Sequence, residues 1–344
     1  MLRYLIGTTF DGVRSLPTHS VDLVLASPPF LAQRSYLPRD HPDKAKEIGQ
    51  EGSPADFLAA LLSLVDECGR VLAPHGSLAF ELGDTYARNA PGWPRPKSLA
   101  LVPELFAASL AYGRNLLRPE QTLEPWIVRN VVVWCRTNPA PKRDWDTYRN
   151  ATSYVTVATR STDRYFDMDV ARLQRTNGKL MPTGPPLLDW WLVNVGQDRG
   201  NGDHFAPWPT EVALRLIEVM CPRRVCTTCG EPSRRVTQRE RVTGTSGRYE
   251  SSGKYGRIQT EDDKQGVDLR GGVFKNRRVL GMGWSDCGCN TWRPGMVLDP
   301  FAGSGTSLLV AALQDRDAIG IDLNPMYAAG VEDRCQRPVE VVSL

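Results

Sequence analysis

The stretch Asp299-Pro300-Phe301-Ala302-Gly303-Ser304-Gly305-Thr306 decides how this chain folds. Just before it, Met296-Val297-Leu298-Asp299 reads as a short buried strand, and just after it Gly305 to Gln314 reads as a helix. Ala318-Ile319-Gly320-Ile321-Asp322 then returns as another strand. Strand, glycine turn, helix, strand and carboxylate make half of a doubly wound α/β sheet. Glycines at the end of a strand let the backbone come close to a ligand, and the first turn of the next helix offers amide N–H groups without helical partners. A carboxylate placed like Asp322 suits a ribose diol. Taken alone, the turn fits either a nucleotide or plain helix–strand packing.

Upstream, the apolar run Val21 to Ala26 reads as a buried strand stopped by Ser27-Pro28-Pro29-Phe30. Two prolines fix a carbonyl and a hydroxyl in one direction, and Phe30 offers a stacking face. Such a platform can accept the hydrogens of a planar exocyclic amine; four such residues also occur as a proline turn over a core Phe. Ser53-Pro54 has the form of a helix start, with Leu58, Leu61, Leu62, Val65 and Leu72 at helical spacing and Pro74-His75-Gly76 as the expected stop. Ser77 to Leu82 reads as a strand closed by Gly83-Asp84, Pro103 to Tyr112 as a helix, and Ile127–Cys135 with Tyr154–Thr159 as a strand pair. Residues 171–203 read as irregular and Pro209–Val219 as a helix.

With 344 residues the chain has room for two domains, or one large domain with an insert. Its 41% apolar and 24% charged residues exclude global disorder. No apolar run is long enough to span a bilayer, and Met1 to Gly7 is too short for a secretory signal, so a soluble cytoplasmic protein is expected. The net charge of +3 is uneven: residues 221–290 hold 14 Lys/Arg against 8 Asp/Glu, a local +6. That excess fits either a solvated insert or a patch for a polyanion. Of the 8 cysteines, Cys226-x-x-Cys229 and Cys287-x-Cys289 supply four thiols with the spacing of a tetrahedral zinc site, set against a reading as unrelated thiols; Cys221, just before Pro222, is a weaker ligand candidate.

The two segments together resemble the S-adenosylmethionine-dependent DNA amino-methyltransferases, specifically the circularly permuted β class, in which the catalytic motif precedes the cofactor motif. In that family SPPY and SPPF go mainly with N4-cytosine methylation, DPPY and NPPY mainly with N6-adenine. Gly83-Asp84 resembles the turn after the next strand. Trp134 with Asn138-Pro139-Ala140-Pro141 resembles the WxKxNPMP segment, and His204-Phe205-Ala206-Pro207-Trp208-Pro209 resembles the HxAPFP segment. The resemblance runs over about residues 5–220 and 291–335.

It implies a Rossmann-like methyltransferase sheet, circularly permuted, built from 1–220 and 291–344. Residues 169–203 would be a short recognition region and 221–290 a basic zinc-binding insert that touches DNA. Asp299, Phe301, Gly303, Ser304, Gly305, Thr306 and Asp322, with Gly7, Thr8 and His204, would hold S-adenosylmethionine. Ser27, Pro28, Pro29 and Phe30 would carry catalysis. The family often has Gly-Asp near the N-terminus, with the Asp on the cofactor's adenine amine; the match here is Gly7-Thr8, so that contact is lost or passes to a neighbour such as Asp11. The insert also splits the usual short link between the HxAPFP helix and the DPFxGSGT strand.

The implied reaction is methyl transfer to the N4 amine of cytosine in double-stranded DNA, the base being extruded and stacked on Phe30. Adenine N6 is the alternative on the same fold. A non-catalytic zinc-containing DNA-binding protein is the alternative from another class; it predicts damaged cofactor residues, whereas Asp299, Gly303, Gly305, Asp322 and the whole SPPF motif are present. The expected partners are duplex DNA and, functionally, a cognate restriction endonuclease, with no membrane and a monomer or homodimer. The setting would be a bacterial or phage-infected cytoplasm.

Overall fold

The apolar runs become strands of a single large sheet. In chain order they are β1 (Leu2–Ile6), β2 (Val21–Ala26), β3 (Leu72–Leu82), β4 (Ile127–Cys135), β5 (Thr152–Thr159), β6 (Trp190–Leu192), β7 (Met296–Asp299), β8 (Asp317–Asp322) and β9 (Glu340–Ser343). The helices are α1 (Thr9–Arg14), α2 (Pro54–Val71), α3 (Val102–Tyr112), α4 (Met168–Arg175), α5 (Thr210–Met220) and α6 (Thr306–Leu313), with one further short helix, Val331–Cys335. The computed structural model describes residues 1–139, 146–175, 187–195, 209–241, 249–252, 257–260 and 277–344, and these elements are those of the described residues.

The sheet order is β9-β1-β8-β7-β2-β3-β5-β4-β6. Strands β9 through β3 run parallel, and β5 is antiparallel to both β3 and β4. From β2 the chain crosses through α2 to β3 on one side; from β7 it crosses through α6 to β8 on the other. The connections part between β7 and β2, and the crevice beyond the carboxyl ends at such a switch point is where open α/β sheets hold ligands.

Alternation along the strands explains the layers. Val24, Ala26, Leu298, Ile319 and Ile321 join Phe57, Leu58, Leu61, Leu62 and Val65 of α2 and Phe106 of α3 in the main core. Leu23, Leu25 and Val297 are also buried but fall on the alternate positions, the face that α5 and α6 cover. Each fully buried leucine contributes roughly 1.5–3 kcal/mol relative to exposure.

Helix α2 starts as expected: the Ser53 side chain accepts from the Asp56 amide at 3.2 Å, and Pro54 occupies the first turn. Its end differs. The helix stops at Val71 and β3 begins at Leu72, so Leu72 is strand and Pro74-His75-Gly76 lies within β3. The cause is local: a residue before proline is driven out of the helical region, so Ala73 must be extended. The region read as irregular from residue 171 also differs, since α4 runs to Arg175 and Trp190–Leu192 pairs with β4 at the sheet edge.

By contact the chain divides into Met1–Phe166, Leu188–Pro232 and Cys287–Leu344 on one hand, and Asp167–Leu187 and Ser233–Asp286 on the other. The sheet and all four clustered cysteines belong to the larger unit, so the division falls inside the cysteine pairs, not at residues 221 and 290. The smaller unit contains α4 and two antiparallel ribbons, Arg235–Arg241 with Arg277–Trp284 and Tyr249–Ser252 with Arg257–Thr260. Asp167 caps α4 by accepting from the Asp169 and Val170 amides, and Arg235 of the first ribbon meets the same carboxylate at 3.0 Å.

Candidate active site

Strands β2 and β7 are parallel neighbours in the register Leu23 to Val297 and Val24 to Leu298. Neighbouring strands lie about 4.8 Å apart, so the loops that follow them leave the sheet side by side. A cleft of about 960 Å³ opens there. Ser27, Pro28, Pro29 and Phe30 line it from one loop, and Asp299 to Ser304 with Thr306 line it from the other; Asp322 and Thr8 complete that side.

The loop after β7 is held through its backbone by buried side chains. Asp299 accepts from the Phe301 amide at 2.9 Å and from the Ser307 hydroxyl. Asp322 accepts from the Gly303 amide and the Asn324 amide, both at 2.8 Å. The buried Tyr4 of β1 donates its hydroxyl to the Gly303 carbonyl at 2.7 Å, pinning the same residue from the other direction. Gly303 has φ +49 and open space where a side chain would start, so a ligand can approach its backbone closely. Burial pushes the Asp299 carboxyl up to about 7 and that of Asp322 up to about 6.

The loop after β2 is held by stiff rings and one side-chain pair. Ser27 donates its hydroxyl to Glu81 Oε2 at 2.5 Å. Glu81 sits on β3, is 1% exposed and lines the cleft. Burial raises its carboxyl above the ordinary range, with the Ser27 hydrogen bond opposing. The Phe30 ring packs on Gly83 so closely that a Cβ there would lie 2.5 Å from the ring. Asp84 accepts from the Leu101 and Val102 amides and so starts α3. Across the cleft, Arg136 stacks on Trp134 with its guanidinium carbon 4.6 Å from the ring centroid, and Asn138 exchanges hydrogen bonds with Val195.

Several expected residues take other positions. Gly305 does not line the cleft; with φ +80 it caps α6 and lies against Val331. Gly7 is likewise outside the lining: its amide bonds the Asp322 carbonyl at 3.0 Å and its Cα faces Leu344. Thr8 lines the cleft and caps α1, donating to Asp11 Oδ2 at 2.6 Å; Asp11 itself stays off the lining. His204 and the Ala140-Pro141 pair lie outside the described residues. Glu81 is the functional candidate that sequence reasoning does not find. Its one signal is a lone acid within the apolar strand Leu78-Ala79-Phe80-Glu81-Leu82.

A second centre lies in the same unit. The sulfur atoms of Cys226, Cys229, Cys287 and Cys289 all fall within 4.8 Å of one another, and Cys221 is not among them. Zinc–sulfur bonds of about 2.3 Å put tetrahedral sulfurs about 3.8 Å apart, so the set is compatible with one structural zinc ion. The Cys229 and Thr228 amides both point at Cys226 Sγ from 3.4 Å. Led by the Cys229 amide, these bonds lower the Cys226 thiol and favour its thiolate, while the neighbouring cysteines, Cys287 first, push the Cys289 thiol up.

The family profile described as DNA methylase, of the N6/N4 type, matches residues 21–224 and 289–333, which takes in both cleft loops and the Cys289 side of the cysteine centre. The chain belongs to the N6/N4 DNA methylase family. This methylase is 23% identical over 353 residues to the type II methyltransferase M.Cfr9I of Citrobacter freundii, covering 96% of this chain and 87% of that one. It is 30% identical over 177 residues to M.SfiI of Streptomyces fimbriatus, covering 49% of this chain and only 38% of that longer protein. Among solved structures, the fold is similar to the PvuII DNA methyltransferase, described as cytosine-N4-specific, with a TM-score of 0.56, 16% identity and coverage of 96% and 85%. A Thermus thermophilus protein, described as a DNA modification methylase and solved in complex with S-adenosyl-L-methionine, gives a TM-score of 0.53 at 18% identity, covering 100% of this chain and 98% of that one. Among the described residues, no helix is long and apolar enough to cross a membrane.

Proposed function

We propose that this methylase transfers a methyl group from S-adenosylmethionine to the N4 amine of cytosine in double-stranded DNA. The carrying observation is that the Ser27–Glu81 pair and the Asp322–Gly303 loop line one cleft. The residues fit the methyl donor: an open glycine backbone, a carboxylate suited to ribose hydroxyls, and three cleft carboxylates, Asp299, Asp322 and Glu81, for a ligand with a cationic sulfur. When bound, that group supplies an electrophilic methyl.

Everything else falls to the chain. Phe30, seated on Gly83, offers its face to an extruded base. With its hydrogen committed to Glu81, the Ser27 oxygen is left as an acceptor for one amine hydrogen, and the Pro28 carbonyl accepts the other. As the nitrogen gains its methyl it must lose a proton, and Ser27 offers a path to Glu81. A carboxylate raised above its usual range is suited to hold that proton near neutral pH. Holding donor and acceptor on adjacent strand ends supplies the orientation that such a transfer needs.

The N4 assignment is supported by the SPPF form of the motif and by the description of the PvuII enzyme. Incubation with labelled S-adenosylmethionine and unmodified duplex DNA, followed by nucleoside analysis, should give N4-methylcytosine. N6-methyladenine would move the substrate to adenine, and an unlabelled product would defeat the catalytic reading. The basic 221–290 segment is proposed to add phosphate contacts. A cognate restriction endonuclease is the proposed functional counterpart, as the relatives are named type II methyltransferases, and the proposed location is the cytoplasm.

A further inference from the structure

We propose that the four-cysteine centre is a resident zinc site that braces the catalytic sheet through Arg293 and the buried Asp22. The connection can be followed bond by bond. Cys226 ends the short strand Arg224–Cys226, which pairs antiparallel with Trp292–Pro294 so that Trp292 faces Cys226. Next to Trp292, Arg293 reaches the Asp22 carboxylate with both terminal nitrogens, Nη1 to Oδ2 at 2.6 Å and Nη2 to Oδ1 at 3.1 Å. Asp22 is fully buried near the start of β2, the strand that leads into Ser27. It also accepts from the Met296 amide at 2.7 Å, at the start of β7, and sits 2.9 Å from His75 Nε2 on β3. One carboxylate therefore ties together the starting ends of both cleft strands, and its bidentate cation comes from the cysteine ribbon.

That ribbon cannot hold itself. Two strands of three residues are below the size that is stable alone, and the cysteine pairs beside them bracket a 57-residue excursion, Gly230 to Asp286. The turns at the cysteines are already shaped for a metal. Gly230, Gly288 and Asn290 hold left-handed backbone at φ +76, +79 and +56, which folds each pair back toward the other. A single tetrahedral ion fits sulfurs this close, whereas multi-iron clusters spread their cysteine ligands over several metal atoms. If the ribbon loosens, Asp22 keeps its burial but loses its bidentate guanidinium, and a buried charge left to His75 and the Met296 amide strains both strands. The coupling goes beyond the methyl-transfer reading and does not depend on which base is methylated.

The test uses the whole 344-residue chain and one variant of it. Elemental analysis should find one zinc per chain; an absence of zinc, or iron in its place, overturns the metal assignment. Chelation should then speed amide hydrogen exchange in Val21–Ala26 and Met296–Asp299 by about tenfold or more, the size expected when a charge-assisted hydrogen bond to a buried carboxylate is lost. Faster exchange confined to the cysteine turns would overturn the bracing. Arg293→Lys should reproduce the strand effect with zinc retained, and unchanged exchange in that variant would also overturn it. Both readouts precede any assay of methyl transfer, so a failure of the N4 reading leaves them intact.

Discussion

The two loops that face each other across the cleft are built on opposite plans. The loop after β7 is shaped by hydrogen bonds from its main chain to buried side chains, with the Asp299 and Asp322 carboxylates gathering the amides of Phe301 and Gly303. The loop after β2 has few such bonds; two proline rings, the Phe30–Gly83 packing and the Ser27–Glu81 pair hold it. The first plan suits a ligand gripped along its length, the second a flat ligand that must be aimed. Damage to the β7 loop should therefore appear as lost affinity, and damage to the β2 loop as lost turnover.

Glu81→Gln is expected to have the largest effect. Removing the proposed proton acceptor should lower turnover by about 10² to 10⁴-fold and leave cofactor affinity nearly unchanged. A titration calorimeter and a single-turnover assay would show whether the two quantities separate. Asp322→Ala should do the reverse, weakening cofactor binding by roughly 1.5–3 kcal/mol while turnover at saturation stays close to the parent. If both variants lost affinity alone, the division between the loops would be wrong.

Phe30→Ala sharpens the contrast on the acceptor side. Its cost, about 1–3 kcal/mol of stacking, should be larger on paired duplex than on single-stranded or mismatched DNA, because extrusion from a pair needs more compensation. Equal losses on the two substrates would argue against a base resting on this ring.

Acidity separates fold from ligand in the β7 loop. Burial raises Asp322 to about 6 and Asp299 to about 7 from an ordinary 3.8. The stability these groups contribute is fully present below about pH 3.8 and is lost as pH rises through their folded values. In the proposed role Asp322 accepts the ribose hydroxyls as a carboxylate, so cofactor affinity should rise over the same interval, by at most about tenfold per pH unit below pH 6. Thermal melts of the free protein and binding isotherms across pH 5 to 8 should slope in opposite directions, and Asp322→Asn should flatten the isotherms. The smallest expected effect lies outside the cleft: replacing Arg277 and Arg278 with Ala should reduce the salt dependence of DNA binding by up to about two units of slope, as read from affinities over a salt series.

Much of this arrangement is legible in the residues alone. The runs 21–26, 296–298 and 318–321 are apolar apart from Asp22, because strands buried on both faces have no polar side to show. The inner strand β1 and the edge strand β9 escape such a reading: they are short, and β9 leaves most of its residues exposed. Leu72 reads as part of α2 because its spacing continues the helical stripe, and only the proline two residues later turns it into strand. Within the site, SPPF and DPFAGSGT stand out as motifs of rigid and glycine-rich residues. Glu81 does not, since a single acid in a strand usually faces water; here its neighbour across the strand gap is the end of β2, and Ser27 turns it inward as a partner. Gly305 and Gly7 fall in with the ligand contacts because a motif records proximity in sequence, while their backbone geometry serves α6 and the end of β8.

The order β1-β8-β7-β2 has a consequence for how the molecule assembles. Strands β7 and β8 slot between two strands made near the start of the chain, and the Met296 amide meets Asp22 across a separation of 274 residues. During synthesis, β2 and β1 must wait with unpaired, apolar edges until β7 and β8 have been made. Contacts of such long range close slowly, and exposed strand edges recruit other chains in the meantime. Maturation is thus set by topology more than by final stability: overproduction at high temperature should yield aggregate, and slowed synthesis or added chaperone should recover soluble protein without altering its melting point.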